Sequence, residues 1–247
     1  ARTAIRESKN NPKVIHRIDG PISLYRGNDR AMDEQIFTLN HELATATAFQ
    51  CVYSWRESIK MGFEPVNPTI IRNACDPKYF FQSSGPKKLT DNLTRKIRLV
   101  SSSWSTNPRK GGDTYRYLDE HLDFTKFDYT FIGRVASPFK NIRLVDAVPS
   151  KELGEHLRQA DIFIAASLHD PASNALLEAI NCGLPVVYAK SGGHSEFTWY
   201  SGLGFQQADE IPELLQKIIA DYDSYRIATY SLNIREIVDS YLKLLEL

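Results

Sequence analysis

Short apolar runs alternate along this chain with longer stretches of helical period, and no two of the runs are joined by a hairpin turn. Strands that do not turn back on themselves must be linked by crossovers, and crossover helices cover both faces of a parallel sheet. In the first third, KVIHRI (Lys13 to Ile18) reads as a strand and Asp33 to Phe49 as a helix. AFQCVYS, ending at Ser54, reads as a second strand, Trp55 to Met61 as a short helix stopped by Gly62, and PTIIRN (Pro68 to Asn73) as a third strand. From about Cys75 to Lys96 the chain is rich in turn formers and charge without periodicity, which reads as a linker. The alternation then resumes with strand KIRLVSSS, helix Gly112 to His121, strand FDYTFIG, short strand NIRLV, helix Lys151 to Gln159 and strand DIFIAAS. It closes with helix Ser173 to Cys182, strand LPVVYA, a small strand near Gly204, and helices from Glu210 to the end. The expectation is an α/β chain built on doubly wound parallel sheet.

Composition narrows the function classes. Lys plus Arg and Asp plus Glu are balanced at 30 each, so no global positive field exists to hold nucleic acid or anionic lipid, and any anion site must be local. Three widely spaced cysteines, Cys51, Cys75 and Cys182, fit neither a disulfide framework nor a paired-ligand zinc cluster, and point to a reducing compartment. The opening ARTAIRESKN is polar, with no signal peptide, and no apolar run approaches the roughly 20 residues a membrane span needs. A cytoplasmic protein is expected, with a peripheral place at the inner membrane surface as the second option. The charged, Met-less opening reads as a chain cut inside a larger protein.

In an open parallel sheet, ligands bind outside the carboxyl ends of the strands, which directs attention to the loops leaving them. Three of these loops stand out. SSSWSTNPRKGGD (Ser101 to Asp113) ends in a Lys-Gly-Gly turn at a helix start, where Lys110 could meet a phosphate oxygen; a solvated lysine at a turn is the plainer reading of this loop alone. LHDPASNALLEAINCGLPVV (Leu168 to Val187) places Ser173 as a helix cap, with the amides of Asn174 and Ala175 as donors toward an anion. Asp170 precedes that helix, and Glu178 lies one turn inside it, within reach of ribose hydroxyls or simply facing solvent. KSGGHSEF (Lys190 to Phe197) pairs Gly192 with Gly193, which permits positive φ and close approach to a ligand, or serves only as a turn with Glu196 capping a helix. Taken together, the three loops supply a cation, anion-binding amides and a ribose-binding carboxylate.

NPRKGGD followed by FIGR, then HDPASNALLEAINCGLPVV, then SGGHSEF, resembles the group 1 family of retaining GT-B glycosyltransferases, in which two acids eight positions apart precede a Cys-Gly and a Leu-Pro-Val-Val strand. The resemblance covers Lys96 to about Phe205, and extends weakly upstream through IIRNACDPKYF, where Asn73, Asp76 and Phe80 match and Ala74 replaces a customary Gly. It implies a GT-B-like fold with a partial, acceptor-side α/β domain and linker at 1–90 and a nucleotide-sugar-binding, Rossmann-like domain at 91–232. A C-terminal helix at 233–247, amphipathic along Ile234, Ile237, Val238, Tyr241, Leu242 and Leu245, would return to the N-terminal part.

The resemblance also implies roles. Glu178 would hold the ribose of the donor, Lys110 its diphosphate and Asp170 the transferred sugar. Amides around Ser173, Asn174 and Ala175 would take the distal phosphate, Gly133 and Arg134 would lie near the base, and Gly192 and Gly193 would allow the ligand close. Two departures stand out: Trp104 occupies the place of a usual Arg, with Arg109 as the candidate substitute, and Asp170 replaces a usual Glu. In HRIDG, Asp19 rather than His16 is nearest a loop position that faces donor and acceptor, although a structural His and a turn-forming Asp-Gly are the simpler readings. The implied partners are a nucleotide-sugar donor and a carbohydrate or glycolipid acceptor. No nucleic acid, cofactor or metal is expected. A GT-B epimerase or phosphorylase, or a non-catalytic nucleotide-sugar binder, is the alternative. A dinucleotide dehydrogenase is disfavoured, because no strand is followed by a G-x-G-x-x-G turn.

Overall fold

The computed structural model describes residues 12–27, 29–83, 89, 95–227, 229 and 232–246. The chain divides into two compact units, residues 1–74 with 232–247, and residues 75–231. The polar opening and much of the expected linker, at 84–88 and 90–94, lie outside the described residues.

In the first unit, three parallel strands, β1 (Ile15–Ile18), β2 (Ala46–Phe49) and β3 (Pro68–Ile70), pair in the order β1-β2-β3. Helices α1 (Ile22–Tyr25), α2 (Arg30–Leu43) and α3 (Val52–Lys60) connect them. Ile18, Phe49 and Phe63 form the core, with Ile36, Phe37 and Trp55 packed against it.

Two expectations change here, and local hydrogen bonds explain both. The helix expected over Asp33 to Phe49 starts at Arg30, where the Asp29 carboxylate caps it by accepting from Met32 N–H at 3.2 Å. It ends at Leu43, because buried Asn40 donates to Thr47 Oγ1 at 2.8 Å and accepts from Val66 N–H at 3.1 Å, drawing Ala46–Phe49 into the sheet as β2. Val52 to Ser54, expected as strand, belong to α3, which Cys51 caps through its sulfur at 3.3 Å from Ser54 N–H.

The second unit holds six parallel strands in the order β6-β5-β4-β7-β8-β9. These are β4 (Ile97–Ser103), β5 (Phe127–Gly133), β6 (Arg143–Val145), β7 (Ile162–Ala165), β8 (Val186–Ala189) and β9 (Gly202–Phe205). In chain order within the unit this is 3-2-1-4-5-6, the doubly wound arrangement whose switch point lies between β4 and β7. Helices α4 (Gly112–His121), α5 (Ser150–Gln159), α6 (Asn174–Asn181), α7 (His194–Thr198), α8 (Ile211–Ala220) and α9 (Tyr222–Ile227) complete it, and α10 (Ile234–Leu244) belongs to the first unit.

A serine-rich strand can be central because its buried hydroxyl is bonded. Ser101 Oγ sits 2.7 Å from Tyr129 Oη on β5 and donates to the Ile164 carbonyl on β7 at 2.6 Å, tying β4 to both neighbours. The unit begins at Cys75 instead of residue 91, because the DPKYF segment is bound to it: Arg158 donates to the Tyr79 carbonyl at 2.6 Å and stacks over Phe81 at 4.2 Å. A Cβ on Gly154 would collide with that same Tyr79 carbonyl.

The loop entering β6 is held by Asp119, whose buried carboxylate accepts from the backbone N–H groups of Lys140, Asn141 and Ile142 at 2.7, 2.7 and 2.8 Å. Burial opposes its ionisation, but the three donors outweigh that and hold the carboxyl below its ordinary range. Its contribution is therefore present above the ordinary carboxylate range and is lost as pH falls through the depressed value. Asp119→Ala should cost about 1 to 3 kcal/mol in urea denaturation at pH 7, because three backbone donors, the Ile142 N–H buried, lose their acceptor, and the deficit against wild type should shrink at acid pH.

Candidate functional site

Three loops meet at the switch point, and glycines let them meet. After β4 the chain makes a short turn, Pro108–Lys110, in which the Asn107 side chain accepts from Arg109 N–H at 2.8 Å. Gly111 follows at φ +85°, and a Cβ there would collide with the Ala166 carbonyl at the end of β7. The Arg109 carbonyl accepts from Leu168 N–H at 2.7 Å, so backbone joins the loop after β4 to the loop after β7. The loop after β8 closes the set: Gly193 N–H donates to the Asp170 carbonyl at 2.9 Å, and His169 N–H to Ser191 Oγ at 2.9 Å. Gly192 alone of the Gly pair takes positive φ, at +74°, and any side chain there would strike the Asp170 backbone; Gly193 lies at φ −90° and caps α7. Gly192 thus lets the loop after β8 close on the Asp170 backbone.

The side chains converge accordingly. Lys110 Nζ lies 2.7 Å from Asp170 Oδ2, an ion pair in which the carboxylate is nearly buried and the ammonium about a third exposed at 36%. Behind it, buried His194 bridges Ser167 Oγ at 3.1 Å and the Ala189 carbonyl at 3.0 Å. A carbonyl only accepts, so Nδ1 carries the proton and Nε2 accepts from the serine hydroxyl. Burial lowers the His194 pKa and keeps the ring neutral beside the ion pair. His194 stood unremarked inside KSGGHSEF, and its signal was only its place directly after the glycine turn.

Ser173 caps α6, its Oγ accepting from Leu176 N–H at 3.4 Å, and Asn174 and Ala175 are the first two helical residues. Glu178 lies one turn deeper on the same face as Asn174, about 6 Å along the axis. Its carboxylate makes no hydrogen bond or ion pair among the described residues, and burial raises its pKa to about 7. Cys75 lies close enough for that carboxylate to help raise its thiol pKa, after burial itself.

Gly133, at φ +122°, lets Arg134 N–H reach the Ser103 carbonyl at 2.8 Å, where any Cβ would collide. A pocket of about 100 Å³ opens between the loops after β4 and β5, lined in part by Ser103, Asn107, Lys110, Phe131, Arg134 and Phe139. The Arg109 guanidinium forms no ion pair among the described residues, and Trp104 is 54% exposed. Asp19 stands in the first unit, where Gln50 donates to it and Arg17 approaches to 3.3 Å. His16 is bonded to Asn40 at 3.2 Å within the same unit, the structural role that its place in a strand suggests. Among the described residues no group of three or more His, Cys, Asp or Glu side chains gathers, and no helix is long and apolar enough to cross a membrane.

Residues 127–222 match the family described as glycosyl transferases group 1. Over 99 residues, 40% of this chain, the sequence is 29% identical to a D-inositol 3-phosphate glycosyltransferase of Corynebacterium glutamicum (strain R). The match spans about a fifth of that relative's length, 20%. The fold is similar to that of Anabaena Alr3699/HepE, solved with UDP and glucose, at a TM-score of 0.77 and 15% identity, covering 95% of this chain and 71% of that one. It is also similar to sucrose-phosphate synthase from Thermosynechococcus elongatus, at 0.67 and 16%, covering 94% and 65%. Parallel sheets and switch-point loops agree with these likenesses: the chain has a GT-B-like α/β fold, and its residues 127–222 are similar to the glycosyl transferases group 1 family.

Proposed function

We propose that this chain is a glycosyltransferase that binds a nucleotide-diphosphate sugar at the β4–β7 switch point and transfers the sugar, with retention, to a carbohydrate or glycolipid hydroxyl. The observation that carries this reading is the Lys110–Asp170 ion pair, with Glu178 on the helix that follows Asp170, half-buried and without a hydrogen bond or ion pair among the described residues. A diphosphate entering the crevice competes for Lys110 and releases Asp170, whose oxygens then accept from hydroxyls of the sugar. Glu178 accepts from the ribose hydroxyls, the amides at the start of α6 take the distal phosphate, and the pocket beside Arg134 receives the base. As the bond from the anomeric carbon to the phosphate oxygen breaks and the acceptor oxygen bonds to that carbon, negative charge grows on the departing diphosphate. Lys110 and the helix amides stabilise it, so the chain's own donors supply the electrostatic term without a cofactor or metal. In a retaining transfer the acceptor proton passes to the departing phosphate oxygen on the same face. Similarity to Alr3699/HepE, described in complex with UDP-glucose, supports a uridine nucleotide as the first donor to test.

Exposed Trp104, where a second cation is customary, favours one rival, a binder that no longer transfers. Calorimetry separates the readings when combined with an assay for nucleotide release in the presence of acceptor hydroxyls. Lys110→Ala and Glu178→Ala should each weaken UDP-glucose or another nucleotide sugar by roughly tenfold to a hundredfold, the loss of a charge-assisted bond. Unchanged affinity in both variants removes the site assignment; intact binding without release establishes the rival.

The pH dependence has opposite signs for stability and for binding. Because the folded carboxyl of Glu178 titrates at about 7, above the ordinary carboxylate range, its favourable neutral form is fully present below that range and is lost as pH rises through 7. Glu178→Gln should therefore stabilise the protein at pH 8 by about 2 to 3 kcal/mol, and by little at pH 4. Ribose hydroxyls favour the ionised carboxylate, so wild-type affinity for a nucleotide sugar should rise between pH 6 and pH 8, and the rise should vanish in Glu178→Gln. A diphosphate diester has no ionisation of its own in this window, so a flat wild-type profile counts against ribose binding by Glu178.

A further inference from the structure

The face of the second sheet beside α5 is unusually polar for a buried parallel sheet, whose faces are ordinarily near-continuous aliphatic. Arg98 on β4 stands opposite Asp128 on β5, and Thr130 on β5 opposite Arg143 on β6, all in the same alternation phase and so on one face. With His156 and Gln159 of α5 they line a groove of about 240 Å³. It opens near the amino ends of β4 and β5, where Arg98 precedes Ser103 by five residues, about 16 Å of strand, and runs along the sheet past Thr130 and Arg143 to Ile132. It shares no lining residue with the pocket at the switch point.

The protein neutralises the two cations of the groove only in part: Arg98 has a long ion pair to Asp161 and stands opposite Asp128, and Arg143 has no ion pair among the described residues. Asp161, the nearest buried acid to Arg98, is already held by Arg95 in a two-pronged pair at 2.6 and 2.9 Å and by the Arg98 backbone N–H at 2.8 Å. The Arg98 side chain comes no nearer to it than 3.7 Å, and among the described residues its buried Nε has no hydrogen-bond partner. Arg143 donates only to a neutral hydroxyl, Thr130 Oγ1, from Nε at 3.2 Å and Nη2 at 2.9 Å, and it has no carboxylate partner among the described residues. Two guanidinium groups two strands apart, about 10 Å across the sheet at their roots, can close on one oxyanion from either side. Asp128 and Gln159 beside them can receive hydroxyls of the same molecule.

We propose that this groove binds a small phosphorylated sugar or polyol, its phosphate between Arg98 and Arg143 and its hydroxyls toward Asp128 and Gln159. The site is separate from the switch point, so it stands or falls independently of the transferase reading. The test is calorimetry on the whole chain with glucose 6-phosphate, inorganic phosphate and glucose, in wild type, Lys110→Ala and Arg143→Ala. Saturable binding of glucose 6-phosphate should persist in Lys110→Ala, which removes the other phosphate-binding cation, and should weaken at least tenfold in Arg143→Ala. Glucose alone should not bind, and inorganic phosphate should bind more weakly than the ester. Should Arg143→Ala unfold, Arg143→Gln keeps a hydrogen bond to Thr130 without the charge and must show the same loss. Binding lost in Lys110→Ala and kept in the Arg143 variants, or no binding by wild type, overturns the proposal; equal binding of phosphate and ester overturns its sugar part.

Discussion

The site at the switch point depends on backbone approaching backbone where side chains cannot fit. Gly111 against Ala166, Gly133 against Ser103 and Gly192 against Asp170 are three places where a single Cβ would push adjoining loops apart. Because those contacts close, the Arg109 carbonyl can accept from Leu168 and the Asp170 carbonyl from Gly193, and the Lys110 ammonium arrives at a carboxylate 60 residues away in sequence. The charged chemistry is thus a consequence of steric permission. Small residues set the loop positions, and the ion pair then forms between side chains that have little freedom to miss each other.

The same economy operates beneath the site. A central strand ending in three serines places three hydroxyls at a buried sheet: Ser101 satisfies both neighbouring strands at once and Ser103 bonds to Ser105, while Ser102 Oγ has no partner among the described residues. Asp119 does similar work for the loop entering β6, and Asp161 for the start of β4. Each is a buried polar group that fixes a loop or strand end relative to its neighbours, which is what positions the residues leaving the carboxyl ends.

Much of this was legible in the sequence where one signal dominated. Gly112–His121 and Phe127–Gly133 have the extents that periodicity gives them, because each is bounded by turn formers and shows an unbroken pattern. Parallel pairing throughout follows from crossovers without hairpins, whereas the order 3-2-1-4-5-6 is one of several that such crossovers allow. The extents of β2 and its flanking helices were not legible, since Ala44 to Ser54 suits either state by propensity. What decides is Asn40 reaching Thr47 and Val66, a contact that no local window contains. Likewise DPKYF looks like linker by composition but is pinned by Arg158, some 79 residues later. In the candidate site, residue types at loop ends nominated Lys110, Asp170 and Glu178. That the first two touch, that Gly192 serves Asp170, and that His194 supports them are facts of three dimensions.

The pairing of Lys110 with Asp170 also shapes how a charged ligand would arrive. A cationic crevice lowers the energy of an approaching anion over many ångströms and hastens encounter, at the cost of sensitivity to ionic strength. Here the ammonium's field is cancelled 2.7 Å away by its own carboxylate, on a chain whose formal charges sum to zero. The attraction of Lys110 is switched on only at contact, when phosphate oxygens take the carboxylate's place. Lys110 therefore acts by exchange of partners at short range and adds little to the salt dependence of capture, which is left to Arg109 and Arg134.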